Sequence, residues 1–576
     1  MPETDAADDA SGWHPVRNHS GDHSVWRSDR ILPPGWRLCG PTADRETALD
    51  AAAGLAGETR RVSSAPAGGA DHRIIAAAHR FPTRTAVVTE AGATTYAELA
   101  DRAARARARL QSRGVGRGCL VGICMSRSVD LLATTLAVLS LGAAYVPLDG
   151  RYPAERLRAI AEDSRMACVV GEPAFEPALT LMPVPVLAPA DVFAGTSGAP
   201  LESVSVLDDV AYVMYTSGST GRAKGVEVTH GNLIALLDAL SALLPPGSGD
   251  RVLFHGRFAF DISVPEYHLP LTTGGACVLA PDTWVPRPRR LAALVAETRP
   301  TLLQATPVAW RLLLDAGVRP AADQVVLCGG DALPAALAGE LARLPARAFN
   351  MYGPTEATVW ATAWEITGDR PFIGSAMAHA GVHVLDDDGN PVPDGGYGEA
   401  YISGPAVARG YRGLPRLTAR HFVPDPWSSV PGARMYATGD LVRVVGGLLE
   451  FSHRRDTQVK VNGNRIELSE VETVAGAVDG VSAAVAAVVT TESGPALVLY
   501  VAGSSQVDQP VRAALRRSLP PAMYPAEVMV LDRLPATANG KIDRTELARM
   551  WQAGGPASVS PVRGSRAVID VDGVPS

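Results

Sequence analysis

The sequence predicts an α/β multidomain protein: a large α/β domain, a smaller C-terminal α/β domain, and a short α+β unit ahead of both. Three observations carry this. From about residue 72 to 450, Ala/Leu-rich helical stretches alternate with short β-branched runs, as in ELADRAARARARLQSRG before CLVGICM and LAALVAETRP before TLLQAT. Such alternation builds strand–helix–strand units around a mostly parallel sheet. After HRRDTQVKVNG (His453 to Gly463) the chain turns into a compact α/β module with strands such as that around Pro495 to Gly503. SSAPAGGAD, ending at Asp71, is a small-residue linker that sets the N-terminal unit apart.

In order, residues 1–65 form the N-terminal unit and 66–71 the linker; 72–455 form the large domain, 456–552 the small domain, and 553–576 a flexible tail. The N-terminal unit holds HSVWRSDRILPPGWRLCG and a helix-like ADRETALDAAAGLAGE. No repeat of fixed period is present.

At 576 residues with a net charge of -7, 47% hydrophobic and 20% charged residues, the chain reads as a globular enzyme and not as a nucleic-acid or membrane binder. No apolar run approaches the roughly 20 residues that span a bilayer. The acidic start MPETDAADDASG is unlike a secretory signal, and the six scattered cysteines form no CxxC pair. Both point to a cytoplasmic protein with reduced, buried thiols and no cysteine metal site.

YTSGSTGRAKG (Tyr215 to Gly225) follows the apolar run VAYVMY. Its glycines let backbone N–H groups converge on an anion; Thr216, Ser217, Ser219 and Thr220 add hydroxyl donors, and Arg222 and Lys224 add charge. A Walker loop would need Ser or Thr after the lysine and a helix at once. Here Gly225 follows Lys224, and VEVT alternates like a strand before the helical LIALLDALSALL. The element is strand–loop–strand.

This loop resembles the signature loop of adenylate-forming enzymes, the superfamily of nonribosomal peptide synthetase adenylation domains, acyl-CoA synthetases and luciferases. Ala223 stands where that family usually has Pro. Further matches follow in the family's order: TTYAEL, LGAAYVPLD, FDIS, NMYGPTE, GEAYISGPAVARGY, YATGDL, RRDTQVKVNGNRIELSEVE and NGKIDR, together spanning roughly 94–544. The first two are assigned to packing. The resemblance implies a large adenylate-forming domain, a mobile small domain, and ATP and Mg²⁺ as cofactors. It implies that Gly218 and its loop neighbours grip the β- and γ-phosphates. Glu356 would bind Mg²⁺, Thr355 would donate to the α-phosphate, and Lys541 would bridge that phosphate and the acid. Tyr352 would stack on adenine, Asn350 would meet its exocyclic amine, and the backbone of Gly329, Gly330 and Asp331 would line the base. Asp440 suits the ribose hydroxyls, and Arg454 joins the ATP-binding set. Asp456 matches the hinge between an adenylating and a thioester-forming pose. His453 and Ser469 depart from the family's usual glycines.

Asp261 matches the family's anchor for an α-ammonium group, which favours an amino acid over a fatty or aryl acid. The remaining pocket positions are Ile262, Pro265, Gln304, Leu327, Gly329, Met351, Val359 and Trp360, with Lys541. Leu327, Met351 and Trp360 are bulky, so the cavity is expected to be small, with Gln304 its one neutral polar group. That set resembles glycine-selecting pockets.

The N-terminal unit resembles MbtH-like activators of adenylation domains through Ser24, Trp26, Pro34, Gly35 and Trp36; Ala56 replaces a usual tryptophan, with only Arg60 retained from the motif that follows. In that family an alanine of the partner slots between two tryptophans, and Ala433 is well placed for it. The fused layout resembles adenylating enzymes of the streptolydigin kind and implies 3-methylaspartate as substrate, against the small neutral side chain the pocket favours. No Gly-Gly-x-Ser carrier motif follows Trp551, so a carrier protein with a phosphopantetheine arm is expected in trans. The linker spans at most about 30 Å, which leaves open a contact in cis or a module-swapped homodimer. Two alternatives stand beside amino-acid adenylation: an acyl- or aryl-CoA ligase, opposed by Asp261, and a regulatory partner of other adenylation domains, opposed by the intact set Thr355, Glu356, Asp440 and Lys541.

Overall fold

The computed structural model describes residues 12–56, 68–535 and 544–552, apart from 196–198, 219–222, 246, 248, 285–286, 457, 462 and 492–493. Arg60 and the expected tail, 553–576, lie outside the described residues. Packing divides the chain into two units, Met1–Glu470 with Arg516–Met523, and Val471–Leu515 with Tyr524–Ser576.

Two sheets form the body of the first unit. The seven-stranded sheet runs in the order Gly410–Tyr411, Lys224–Thr229, Val210–Thr216, Ala144–Pro147, Leu120–Cys124, Cys168–Gly171, Val186–Leu187. The nine-stranded sheet runs Ser375–Ala376, Thr362–Glu365, Arg347–Tyr352, Val325–Gly329, Leu302–Ala305, Arg251–Phe254, Ala276–Leu279, Thr85–Thr89, Gly92–Thr95. Their central strands are parallel, and Leu120–Cys124, Leu302–Ala305 and Val325–Gly329 are buried at every position. Helices on both faces explain why these strands read as continuous apolar runs. The two early motifs do pack: Tyr96 is fully buried and its hydroxyl donates to Gly275 O at 2.8 Å, while Thr95 and Glu98 close a reciprocal cap on the helix Tyr96–Ser112.

A further antiparallel sheet holds Gly381–Leu385, Tyr397–Ser403, Arg434–Val445 and Phe422–Pro424, with Leu448–Arg454 paired to Arg434–Val445. The hairpin of Gln458–Val461 with Asn464–Glu467 follows. We expected a domain boundary after residue 455; by packing, this hairpin belongs to the first unit. Gly463 N donates to Asp331 at 2.8 Å, and Arg465 and Glu470 pair with Glu356 and Arg156. The second unit has the long hairpin Val481–Thr491 and Gly494–Gly503 with Glu527–Leu531 added in parallel, and buries Val485, Val498, Tyr500 and Leu547 together.

The N-terminal module is a three-stranded antiparallel sheet with Trp13–Asn18 between His23–Arg27 and Trp36–Leu38, plus the helix Arg45–Leu55 capped by Asp44. The helix Ala70–Arg80 starts inside the expected linker 66–71: Asp71 is buried there and accepts hydroxyl bonds from Ser203 and Ser205. All six cysteines are free; Cys39 and Cys119 are only partly buried, against the expectation for the set. Among the described residues no helix is long and apolar enough to cross a membrane.

Candidate active site

The site lies where several strands end at their carboxyl edges, the usual place for ligands in open α/β sheets. Val210–Thr216 and Lys224–Thr229 pair antiparallel with Thr216 opposite Lys224, so strand–loop–strand is the observed geometry. Ser217 and Gly218 are buried at the loop entry, while Ser219, Thr220 and Arg222 lie outside the described residues. Ser217 Oγ donates to Arg465 O at 2.9 Å, and Thr216 Oγ1 is buried with no partner among the described residues. Lys224, expected on phosphate, stands 3.2 Å from Glu356 Oε1 and over the Tyr411 ring at 4.6 Å.

Glu356 sits in the short turn Thr355–Ala357 and is fully buried. Its Oε2 accepts from Arg465 Nη1 at 2.7 Å and its Oε1 from the Tyr411 hydroxyl at 2.8 Å. Burial alone would raise its pKa; the charges of Arg465 and Lys224 hold it well below the usual carboxylate range. Burial pulls the Lys224 ammonium down, with Glu356 opposing. The carboxylate is therefore ionised and faced by cations. Among the described residues no group of three or more His, Cys, Asp or Glu gathers to hold a metal. An ionised carboxylate is a donor that Mg²⁺ takes, so Glu356 would be the residue to hold that ion, which would supply charge neutralisation at the phosphates.

At the nucleoside end, Asn350 and Tyr352 close the strand Arg347–Tyr352. Asn350 Nδ2 donates to Phe372 O at 2.7 Å, leaving a buried Oδ1 with no partner among the described residues, an acceptor suited to an exocyclic amine. The Tyr352 hydroxyl donates to Asp440, which also accepts from Arg454 Nη1 at 2.6 Å. Lys460 Nζ lies over the Tyr352 ring at 5.9 Å, where adenine was expected to stack. A Cβ on Gly329 would come within 2.5 Å of Met351 O and 2.6 Å of the Trp360 ring, and Gly330 has φ +85, so the chain passes here only as glycine. Asp331 is tied to Ala332 N and Gly463 N through its carboxylate. Asp456 accepts from Arg454 Nε at 2.7 Å and Nη2 at 2.8 Å; this pairing overcomes burial and lowers its pKa.

In the acid pocket, Asp261 opens the turn Asp261–Ser263 and is buried, which raises its pKa, with the Thr355 hydroxyl opposing. Thr355 donates that hydroxyl to Asp261, not outward to a phosphate position. A cavity of about 100 Å³ links Asp261 and Thr355 to Thr216, Ser217 and Arg465. Ile262, Pro265, Leu327, Met351, Val359 and Trp360 are all buried, and none of them lines that cavity. Thr358 and Val359 both have positive φ, of 53 and 69, a strained passage that delivers the indole of Trp360. Trp360 Nε1 donates to Gln304 Oε1 at 2.9 Å, while Gln304 Nε2 donates to Ile262 O and to Glu266 Oε1. Gln304 was expected to be the pocket's available polar group; instead its amide is spent on the pocket wall.

Four residues escaped assignment from sequence. Arg465, Lys460 and Tyr411 lay inside quoted motifs without a role. Glu266 in VPEYHLPL had one signal, a charge in an apolar helix: it is buried, accepts from His255 N at 3.0 Å and Gly256 N at 2.8 Å, and burial raises its carboxyl to about 8. Lys541 lies outside the described residues.

The N-terminal module packs against the segment around Ala433. Trp36 Nε1 donates to Ala433 O at 3.1 Å, and Asn18 Nδ2 to Gly432 O at 2.9 Å. Ser24 reaches a different element, donating to Ala419 O at 2.8 Å, and Trp26 bonds Ile31 O within the module. Gly35 (φ +80) lies so close to Pro431 and Gly432 that a Cβ would meet Gly432 N at 2.4 Å. Val25, Ala48, Leu49 and Ala52 share one apolar cluster with Ala419.

This fold, with an ionised carboxylate beside a Gly/Ser/Thr loop between strands, defines an adenylate-forming ligase. The chain belongs to the AMP-binding enzyme family, which matches residues 75–412, with the AMP-binding enzyme C-terminal domain at 470–541. It is 37% identical over 486 residues to a dimodular nonribosomal peptide synthase of Bacillus subtilis (strain 168), covering 81% of this chain and 20% of that protein. Among solved structures, a four-domain nonribosomal peptide synthetase bound to AMP and glycine matches at 31% identity and TM-score 0.62, covering 88% of this chain and 40% of that one. A nonribosomal peptide synthetase protein with adenylation and PCP domains, bound to a vinylsulfonamide inhibitor, matches at 27% and TM-score 0.73, covering 84% of each chain. The chain spans less than half the length of the curated relatives it matches. With them it is an adenylation domain of the nonribosomal peptide synthetase type.

Proposed function

We propose that the chain uses ATP to convert an amino acid to its aminoacyl adenylate with release of pyrophosphate, and passes the acyl group to the phosphopantetheine thiol of a separate carrier protein. Asp261 is the observation that carries the amino-acid reading. A buried carboxylate whose charged form is disfavoured, and whose one side-chain hydrogen-bond partner among the described residues is a hydroxyl, is relieved by an arriving ammonium group. The cavity from Asp261 to the phosphate loop supports holding acid and nucleotide in line. The acid's carboxylate oxygen bonds to the α-phosphorus, and the bond to the pyrophosphate oxygen breaks. The loop 216–224 would retain that leaving group, and Lys541 would neutralise charge at the α-phosphate. Glu356 would hold Mg²⁺, which when bound neutralises phosphate charge. Asn350, Tyr352 and Asp440 would hold the nucleoside, and Asp456 would serve as hinge.

Two substrates have support. The bulky wall and the committed Gln304 favour glycine or another small neutral amino acid, since the Gln304 amide is spent on Trp360, Ile262 and Glu266. The fused N-terminal module favours 3-methylaspartate by layout; its seat on Ala433 and Gly432 supports an MbtH-like role acting in cis. ATP–pyrophosphate exchange with glycine, alanine, aspartate and 3-methylaspartate decides between them. Exchange with an aryl or fatty acid alone would overturn the amino-acid reading.

A further inference from the structure

Several ion pairs join the N-terminal module to the body at the surface. Glu46 pairs with Arg416 and Arg420, Asp50 with Arg416, and Asp388 with Arg27, and each of these carboxylates is more than half exposed. Such pairs contribute little. The pair of Asp22 with Arg434 is shielded instead. Asp22 Oδ2 stands 3.5 Å from Arg434 Nε, and the two side chains are 14% and 11% exposed. Asn18 orients the carboxylate: its Nδ2 donates to Asp22 Oδ2 at 3.0 Å, and its Oδ1 accepts from Asp22 N at 2.8 Å. The other end of the Arg434 guanidinium faces the active site. Nη1 donates to Arg409 O at 2.7 Å and Nη2 to Ala408 O at 3.1 Å. Ala408 is fully buried, and its N donates to Glu356 O at 2.9 Å. Arg409 N donates to Glu227 O at 2.9 Å, on the strand Lys224–Thr229 that leaves the phosphate loop. One side chain thus joins a carboxylate of the module to the backbone that braces Glu356.

Resting on the adenylation reading above, we propose that Arg434 is a positioning residue for the turn Thr355–Ala357, and that Asp22 of the N-terminal module holds it in that role. Carbonyl oxygens accept hydrogen bonds but do not neutralise a guanidinium, so a shielded one needs a carboxylate beside it. With Asp22 in place, Arg434 keeps both carbonyls, and the segment 406–409 stays against Glu356. Without that charge the guanidinium turns towards water, and Ala408 loosens its hold on the turn. The module therefore acts on the phosphate end of the site through this shielded pair, in addition to its seat on Ala433.

The test uses the full chain and Asp22→Asn, which keeps the size of the side chain and removes its charge. In ATP–pyrophosphate exchange, kcat/KM for MgATP is expected to fall about tenfold, and Asp22→Glu is expected to restore most of it. Amide hydrogen exchange over two segments separates positioning from seating. Segment 406–412 should exchange faster in Asp22→Asn. Segment 430–434, where Gly432 N donates to Pro34 O at 2.7 Å, should keep its protection. Unchanged exchange over 406–412, or an unchanged kcat/KM for MgATP, overturns the proposal. Loss of protection in both segments also overturns it, because the module has then left its seat and Asp22 is an interface residue only. If wild type activates no acid at all, the adenylation reading fails, and the two segments still decide whether Asp22 holds Arg434 in place.

Discussion

Two buried carboxylates of the site, Glu356 and Asp261, are handled in opposite ways. Glu356, at the phosphate end, is surrounded by Arg465, Lys224 and Tyr411 and held ionised. Asp261 has Thr355 as its one side-chain hydrogen-bond partner among the described residues, and burial disfavours its charge; Glu266 accepts backbone N–H bonds and is raised by burial to about 8. Burial is common to all three, so the partners make the difference. One carboxylate is ion-paired, where the proposed reaction brings phosphates; the other has no ion pair among the described residues, where the proposed reaction brings an ammonium group.

The comparison breaks most sharply at Glu356. Glu356→Ala strands Arg465 and Lys224 side by side, so stability should fall by about 3–5 kcal/mol in urea denaturation, with exchange activity lost. A variant as stable as wild type would show that the charges were never coupled. Asp261→Asn should do the reverse. Amino-acid-dependent exchange should drop by about a hundredfold or more, mostly through KM, while the melting temperature stays level or rises because an unfavourable buried charge is gone. A large loss of stability would mean that Asp261 is already paired.

The smallest effect is a pH slope. An unfolded glutamate ionises near about 4.3, whereas folded Glu266 holds its proton to about 8. Between these values the native state binds the extra proton, so its stabilising contribution is complete below the lower value and is lost as pH rises through the window. Glu266→Gln should remove that slope: its melting temperature relative to wild type should climb from pH 5 to 8. A flat difference would mean that Glu266 is ionised throughout.

Much of this site was legible in the chain. Gly225 after Lys224, with VEVT alternating, marked strand–loop–strand, and the observed pairing of Thr216 with Lys224 agrees. FDIS and GPTE marked Asp261 and Glu356 as candidate site residues, and the structure holds both in short turns. These features depend on near neighbours: glycine conformations, the alternation of a strand, a run of hydroxyls. What each polar group bonds to was not legible. Thr355 turned to Asp261, Gln304 to Trp360, Lys460 to the Tyr352 ring, and Arg465 to Glu356 across 109 positions of sequence. Sequence by itself determined the elements, the loop and the residue types needed for adenylation, because backbone preference and periodicity act over a few residues. Only the tertiary structure decided which charges are already paired, because a buried group's ionisation and reach depend on the atoms folded against it.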